Sequence, residues 1–364
     1  MSAKKSQHFV PRFYLKNFSN KKSCKTICLF NIDKEIFIPS ASIKHQACLP
    51  YFYGTDGIVE DNLSKLEGVF ANIISEIINL KEIPGQYSEK HFLLLLFIIS
   101  MASRTEYSAE AMDETIDKTY KTIYKEDPRF KDYIQDFKIG IKNPATYYLG
   151  IALQCIPIIF DLEFKLLNNE TNTAFLTSDN PVIKYSQFLE LKKAFGGITG
   201  YGEKGIQLLI PISPNSYIIF YDPIVYKIGN RKQKVMPVNN SKDIDVLNLL
   251  QFINAHKTVF FNETINQNYV KTLFDRGKKY FRNQKSNVLD FPLYKDSDGN
   301  KRKIFLTYPE DIKINLSLSF IKLLKKAKKY ELDNRAVHVR NKRVSEIYDL
   351  ITEKFKTPSQ DSIN

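Results

Sequence analysis

The sequence predicts an α+β protein: a helical half, an antiparallel β-rich half and a basic, mixed C-terminal region. Three observations lead there. Residues 57–170 carry apolar side chains at helical spacing, while residues 171–270 change to short apolar and aromatic runs punctuated by Gly, Pro and Asn. Residues 1–56 hold a smaller β element, and the β–α–β alternation of a parallel sheet is not found. The natural division is a core over 1–270 and a basic region over 271–364. No internal repeat is visible.

In chain order, "KTICLFNI" and "KEIFIPS" read as strands joined by a turn, followed by an aromatic-rich loop that ends at Gly57. "IVEDNLSKLEGVFANIISEIINL" places Leu63, Leu66, Phe70, Ile73, Ile74 and Ile77 on one helical face, and Pro84 and Gly85 stop it. Helical text resumes at "SEKHFLLLLFIISMASRTEY" and runs on to "KTIYK", with Ser88 as N-cap, a buried first half and a solvated second half. "FKDYIQDFKIGIK" and "NPATYYLGIALQCIPIIFDLEFKLL" extend the helical region. Strands follow in "TAFLTSDNPVIKY", "GIQLLIPISPNSYIIFYDP" and "HKTVFFN", with the helix "SKDIDVLNLLQFINAH" before the last. The glycine-rich "FGGITGYGEKG" reads as a flexible hairpin tip. Beyond it, "SLSFIKLLKKAKKYEL" reads as a basic amphipathic helix and "TPSQDSIN" as a disordered tail.

The formal net charge is +13 and the pI about 9.2. From Lys271 onward, 22 Lys and Arg face 12 Asp and Glu, a surplus of 10, so most of the excess lies in the last quarter. This favours a polyanionic partner, with nucleic acid first, set against the plain alternative of a lysine-rich composition. The longest apolar run, Phe92 to Ala102, is shorter than the about 20 residues a spanning helix needs. The opening "MSAKKSQHFV" has no apolar leader, and the expectation is a cytoplasmic chain with reduced thiols and no membrane partner. A protein partner stays open, and the sequence does not fix an oligomeric state.

The pieces "HFVPRFYLKNFS", "SIK…FYG", "VEDNLSKLEG", "ASRTEY", "FLTSDNPV", "LLIPISP" and "NLLQFINAHKTVFF" occur in this order between residue 8 and about residue 261. As an ordered set they resemble the bacterial domain of unknown function family 4238 (DUF4238). The resemblance covers roughly the first 70% of the chain and carries no activity with it. What it implies is a set of matching polar positions: His8, Glu60, Glu67, Arg104, Ser178, Asp179 and Asn248.

Their chemistry can be read from spacing. Glu60 and Glu67 lie seven apart on one helical face, with backbones roughly 10 Å apart along the axis. That suits two metal ions or a substrate clamp, or else a solvated acidic face. Asp179 follows a strand and is stopped by Pro181, a common position for a metal ligand or general base, or for a local Asx-turn. His8 precedes an aromatic block, and Arg104 emerges from an apolar helix and needs an anionic partner. The expected catalytic set is His8, Glu60, Glu67, Arg104 and Asp179. Glu60, Glu67 and Asp179 would hold Mg²⁺ or Mn²⁺, and Arg12, Arg104, Ser178 and Asn180 would contact substrate. Together with the basic last quarter these residues describe a metal-dependent nuclease or related phosphoryl-processing enzyme on nucleic acid, in a setting such as antiviral defence. A non-catalytic nucleic-acid binder and a sensor or interaction component are the alternatives.

Two weaker patterns complete the inventory. Asp179 with Glu190 and Lys192 fits a loose Asp…Glu-x-Lys nuclease pattern, and Cys24, Cys28, His45 and Cys48 have the pairing of a zinc site. A nucleophile elbow, a zinc-deaminase signature and an Arg-x4-His ribonuclease motif are all missing from the sequence.

Overall fold

The strands "QLLIPIS" and "SYIIFY" have no polar face, which in a sheet means cover on both sides. In the computed structural model, which describes residues 5–20, 24–295, 299, 301–333 and 335–355, both are buried along their whole length. They are two of the three inner strands of a five-stranded sheet in the order Val235–Val238, Glu163–Asn169, Ser216–Tyr221, Gln207–Ser213, Ile183–Tyr185. All neighbours are antiparallel except the first pair, which is parallel. Alternation then sorts the side chains. Leu166, Leu208, Ile210, Ile218 and Phe220 face a core shared with the N-terminal segment and the helices Ile58–Leu80 and Glu89–Ser103. Leu167, Leu209, Tyr217, Ile219 and Tyr221 face a second core under the helices Ser241–Asn254 and Gln267–Gly277.

The N-terminal hairpin is not a separate unit. Thr26–Asn31 and Ile36–Ser42 join Thr258–Phe261 and Thr177–Ser178 in a four-stranded antiparallel sheet. That pairing places the turn at 255–257 beside Asp179. Ser6–His8 pairs with Cys48–Pro50. Aromatic side chains of the opening segment are plugged into the core: Tyr14 is fully buried and its hydroxyl donates to the Pro211 carbonyl at 2.6 Å.

Four expectations need correction. The helical text from residue 88 is two helices, Glu89–Ser103 and Glu106–Tyr124, meeting at 63°. Among the described residues no single helix is long and apolar enough to cross a membrane. "FKDYIQDFKIGIK" contains only the short turn Ile134–Asp136. "EFKLLNN" is a strand of the main sheet rather than a helix, with Phe164 to Leu167 buried in succession under cover on both faces. "SLSFIKLLKKAKKYEL" is the strand Ile321–Leu323 paired with Tyr226–Ile228, followed by the short helix Lys325–Lys329. The expected tail at 357–364 lies outside the described residues.

The glycine-rich segment is not a hairpin tip: its second half, from Tyr201 to Gly205, leads into the strand that follows and is packed against the C-terminal region. Gly205 sits at φ +74°, where a Cβ would come within 2.8 Å of the Phe188 Cβ. A Cβ at Gly202 would strike the Tyr348 ring. The C-terminal region is clamped on here. Arg340, 2% exposed, donates from Nη2 to Asp161 Oδ1 at 2.8 Å and from Nη1 to the Tyr201 carbonyl at 2.8 Å. Glu203 accepts the His338 backbone N–H at 2.8 Å.

Burial pushes the Glu203 carboxyl up to about 7, against the His338 amide and the Arg340 charge, which favour the anion. The native state therefore keeps this proton to higher pH than the unfolded chain, whose carboxyl titrates near 4.5. Its stabilising contribution is complete below pH 4.5 and is lost as pH rises through 7. The expected result is that Glu203→Gln removes this loss, about 3 kcal/mol across the window. Urea midpoints of both proteins between pH 4.5 and 8.5 check it. Parallel curves would show that Glu203 ionises normally.

Candidate functional site at the Arg104–Thr105 corner

The break between the two helices is made locally. The Thr105 hydroxyl oxygen accepts the Ser108 N–H at 3.1 Å, an N-cap that starts a new helix, and the Ser108 hydroxyl donates back to the Ser103 carbonyl at 2.8 Å. The corner sends successive side chains in different directions. Arg104, 1% exposed, points to the N-terminal segment. Its Nη2 reaches Glu67 Oε1 at 2.8 Å and the His8 carbonyl at 2.7 Å, and its Nε donates to the Tyr53 hydroxyl at 3.0 Å. Buried Gln7 accepts the Tyr53 N–H at 2.6 Å and completes the arrangement. Glu60 and Glu67 both act on Tyr53, whose hydroxyl is pushed up to about 12, mainly by burial. The anionic partner expected for Arg104 is thus Glu67.

Glu106, two residues on, points the other way. Glu106 and Glu110, one helical turn apart, meet His256 from the turn after Ser241–Asn254, with one possible ligand atom from each within 4.8 Å of the others. His256 Nε2 lies 3.2 Å from Glu110 Oε2 and holds that carboxyl well below the usual carboxylate range, at about 2. Lys257 pairs with Glu106 at 2.6 Å, and Lys285 pairs with Glu110 at 3.1 Å. Asp179 lies beneath this turn. Its carboxylate accepts the backbone N–H groups of His256, Lys257 and Thr258 at 2.8, 2.8 and 3.0 Å. Complete burial pushes its pKa up to about 6, while those amides and His256 pull it down.

A cavity of about 260 Å³ adjoins the group. Ala102 and Tyr107 of the corner, Asn180 and Val182 beyond Asp179, and Asn254 at the helix end form one wall. Arg282, Lys285 and residues 307–312 form another, and Lys184, Tyr148 and Thr199 also line it. A polar chain crosses the first wall. Thr105 donates to Asn180 Oδ1 at 3.3 Å, Asn180 Nδ2 donates to the Asn254 carbonyl at 2.9 Å, and Arg282 Nη2 donates to Asn254 Oδ1 at 2.8 Å. The Arg282 guanidinium lies 4.7 Å over the Tyr107 ring.

The expected site residues therefore divide. His8, Glu67 and Arg104 are in contact, and Glu60 is near enough to act on the same tyrosine, but the contact made by His8 to Arg104 is its carbonyl. The His8 ring donates to the Lys44 carbonyl at 3.1 Å, and burial lowers its pKa. Arg12 is exposed on the surface. Glu60, Glu67 and Asp179 do not form a ligand group: among the described residues Glu106, Glu110 and His256 alone do so. The reason is that Asp179 is turned inward to collect three backbone amides. Cys24, Cys28, His45 and Cys48 do not form a ligand group either, and the buried Cys28 thiol donates to the Pro39 carbonyl at 3.1 Å. Ser178 is buried and accepts from Gln251 at 2.6 Å, away from the cavity, whereas Asn180 lines it. Asn248 is a strut: its Nδ2 donates to the Ala174 carbonyl at 2.9 Å. Glu190 accepts the Asn315 N–H at 2.9 Å and takes no part in the group around Asp179.

Sequence reasoning passed over Glu106, Glu110 and His256, although the first and last lie in pieces quoted above. The usable signal was the i, i+4 carboxylate pair directly after "SRT". Arg282 gave no signal beyond belonging to a basic quarter.

A family model described as a protein of unknown function (DUF4238) matches residues 6–264. No curated protein and no solved structure matches the chain.

Proposed function

The chain belongs to the DUF4238 family of proteins of unknown function, and from the site its segments enclose we propose a phosphoryl-processing enzyme that acts on a nucleotide or nucleic acid. The cavity beside the corner is the substrate site, and Glu106, Glu110 and His256 are the candidate metal ligands. One observation carries this reading: Lys285 lines the cavity and also pairs with Glu110, so an anion-binding wall and a carboxylate–imidazole group share one side chain.

Two carboxylates and an imidazole suit Mn²⁺ better than Mg²⁺, which prefers an all-oxygen shell. Such an ion would polarise a phosphoryl oxygen and lower the pKa of a bound water. The residues of the chain do the rest. Glu110 is ionised throughout the physiological range, and the His256 ring beside it holds its carboxyl further down. Asp179 fixes the turn that carries His256, and Lys257 and Lys285 hold the carboxylates in place and are free to turn to a phosphate when a cation takes over.

Those same two lysines favour a second reading, in which the ion pairs are permanent and the cavity binds an anionic ligand without catalysis. Calorimetric titration of Mn²⁺ into the wild type, Glu110→Gln and His256→Gln separates the two, with cleavage of a single-stranded oligonucleotide followed in parallel. The expected result is binding that weakens about tenfold or more in each variant, together with metal-dependent cleavage. A wild type that binds no Mn²⁺ leaves the non-catalytic reading.

A further inference from the structure

We propose that the cavity holds one nucleoside monophosphate unit, with its phosphate gripped by Arg282 and Lys184. This rests on the cavity being the substrate site, and on neither a metal nor turnover. Three cations and two carboxylates line it: Lys184, Arg282 and Lys285 against Glu310 and Asp311.

Both carboxylates already have donors. Asp311 accepts the Ile198 N–H at 2.7 Å and the Thr199 hydroxyl. Glu310 Oε2 accepts from Asn287 at 2.7 Å. Of the cations, Lys285 is neutralised by Glu110. Arg282 is not: among the described residues no carboxylate pairs with it, while Lys184 forms no ion pair but lies within electrostatic reach of Asp311. Arg282 spends one nitrogen on the neutral Asn254 side chain, and its buried Nε has no partner. Lys184 Nζ lies 5.2 Å over the Tyr201 ring. Half-buried charge without a counter-ion is costly, and an anion is the partner that relieves it. A phosphate fits because the guanidinium fork meets it in two places.

The rest of the wall selects what the phosphate is attached to. Tyr148 and Tyr308 offer flat apolar surface for a base and Met112 adds apolar bulk, while Asn180, Thr115 and Ser108 are polar residues whose side chains are already hydrogen-bonded within the protein. The space takes one unit and not a duplex. Arg282 and Tyr308 lie beyond the matched residues 6–264 and Lys184, Tyr148, Met112 and Asn180 within them, so the matched core and the later region share the cavity.

The test is calorimetry with the full chain and excess chelator. The probes are adenosine 5′-monophosphate, ribose 5-phosphate, inorganic phosphate and a 5′-phosphorylated single-stranded oligonucleotide. Adenosine monophosphate is expected to bind, and ribose 5-phosphate and phosphate at least about tenfold more weakly. Arg282→Lys is expected to weaken binding about tenfold and Arg282→Ala further, with unchanged melting curves. Comparable binding of the oligonucleotide assigns a strand end, and its failure to bind assigns the free nucleotide; both support the proposal. No binding of adenosine monophosphate by the wild type, equal binding of ribose 5-phosphate, or unchanged affinity in both variants overturns it. Loss of Mn²⁺ binding or of cleavage sinks the metal-dependent reaction and leaves this result standing, since every measurement is made without metal.

Discussion

Replacing Arg104 by alanine is expected to lower stability by about 3–5 kcal/mol. The side chain is 1% exposed, and its loss leaves three acceptors behind it: Glu67, the His8 carbonyl and the Tyr53 hydroxyl. The cost should fall mainly on the attachment of the opening strand, because that guanidinium ties residue 8 to residue 104. Glu67→Gln should cost much less, since the Glu67 side chain is 25% exposed and its replacement keeps an acceptor. Urea midpoints of Arg104→Ala, Glu67→Gln and the pair give the coupling directly. A change below about 1 kcal/mol in Arg104→Ala would mean that the ion pair is incidental. If Arg104 instead gripped substrate, its loss would change ligand affinity at unchanged stability.

Asp179→Ala is expected to cost about 3 kcal/mol at pH 7, because three amide donors lose one charged acceptor. The larger consequence is for the neighbouring group. Without the carboxylate the turn at 255–257 is no longer fixed, and His256 no longer faces Glu106 and Glu110. Mn²⁺ affinity should fall about tenfold although Asp179 touches no ion. Asp179→Asn keeps one acceptor oxygen and should recover part of both losses. A variant of lowered stability with unchanged Mn²⁺ binding would show that the turn holds its shape from the β-ladder at 258–261 alone.

Much of this fold was legible where one face of an element is wet. The stripe Leu63, Phe70, Ile73, Ile74, Ile77 lies on the core side of Ile58–Leu80 as its spacing requires, and Ser88 caps the next helix as expected. Legibility failed where both faces are dry. "EFKLLNN" carries no alternation because apolar layers cover it on both sides, so periodicity could not tell it from a helix. The corner at Arg104–Thr105 failed for a different reason: no Gly or Pro marks it, and the run after it favours helix. Only the Thr105 hydroxyl, engaged with Ser108, reveals the new start. The segment around Ile321–Leu323 has Leu316, Phe320, Leu323 and Leu324 at helical intervals, yet the strand's neighbour Tyr226–Ile228 lies far back in the chain and decides the matter.

The site shows the same division. Turn chemistry placed Asp179 correctly at a strand end, and a buried arginine with a carboxylate partner was anticipated. Which amides Asp179 would collect depends on how the sheet brings residue 258 beside residue 178, a relation that no local pattern encodes. The meeting of Arg282 with Asn254 and Tyr107 is of the same kind.

The Arg340–Asp161 pair has a consequence for biosynthesis. Its two halves are 179 residues apart, and Ile312, Leu316 and Leu318 of the late segment belong to the same core as the central strands. Translation at about 5–20 residues per second puts on the order of ten seconds between the first half of that pair and the second. Throughout that interval the nascent chain carries a sheet with one apolar face incompletely covered. Ribosome-tethered chains halted near residue 265 should therefore depend on chaperones for solubility, and release from that dependence should come only once residues 312–340 have emerged.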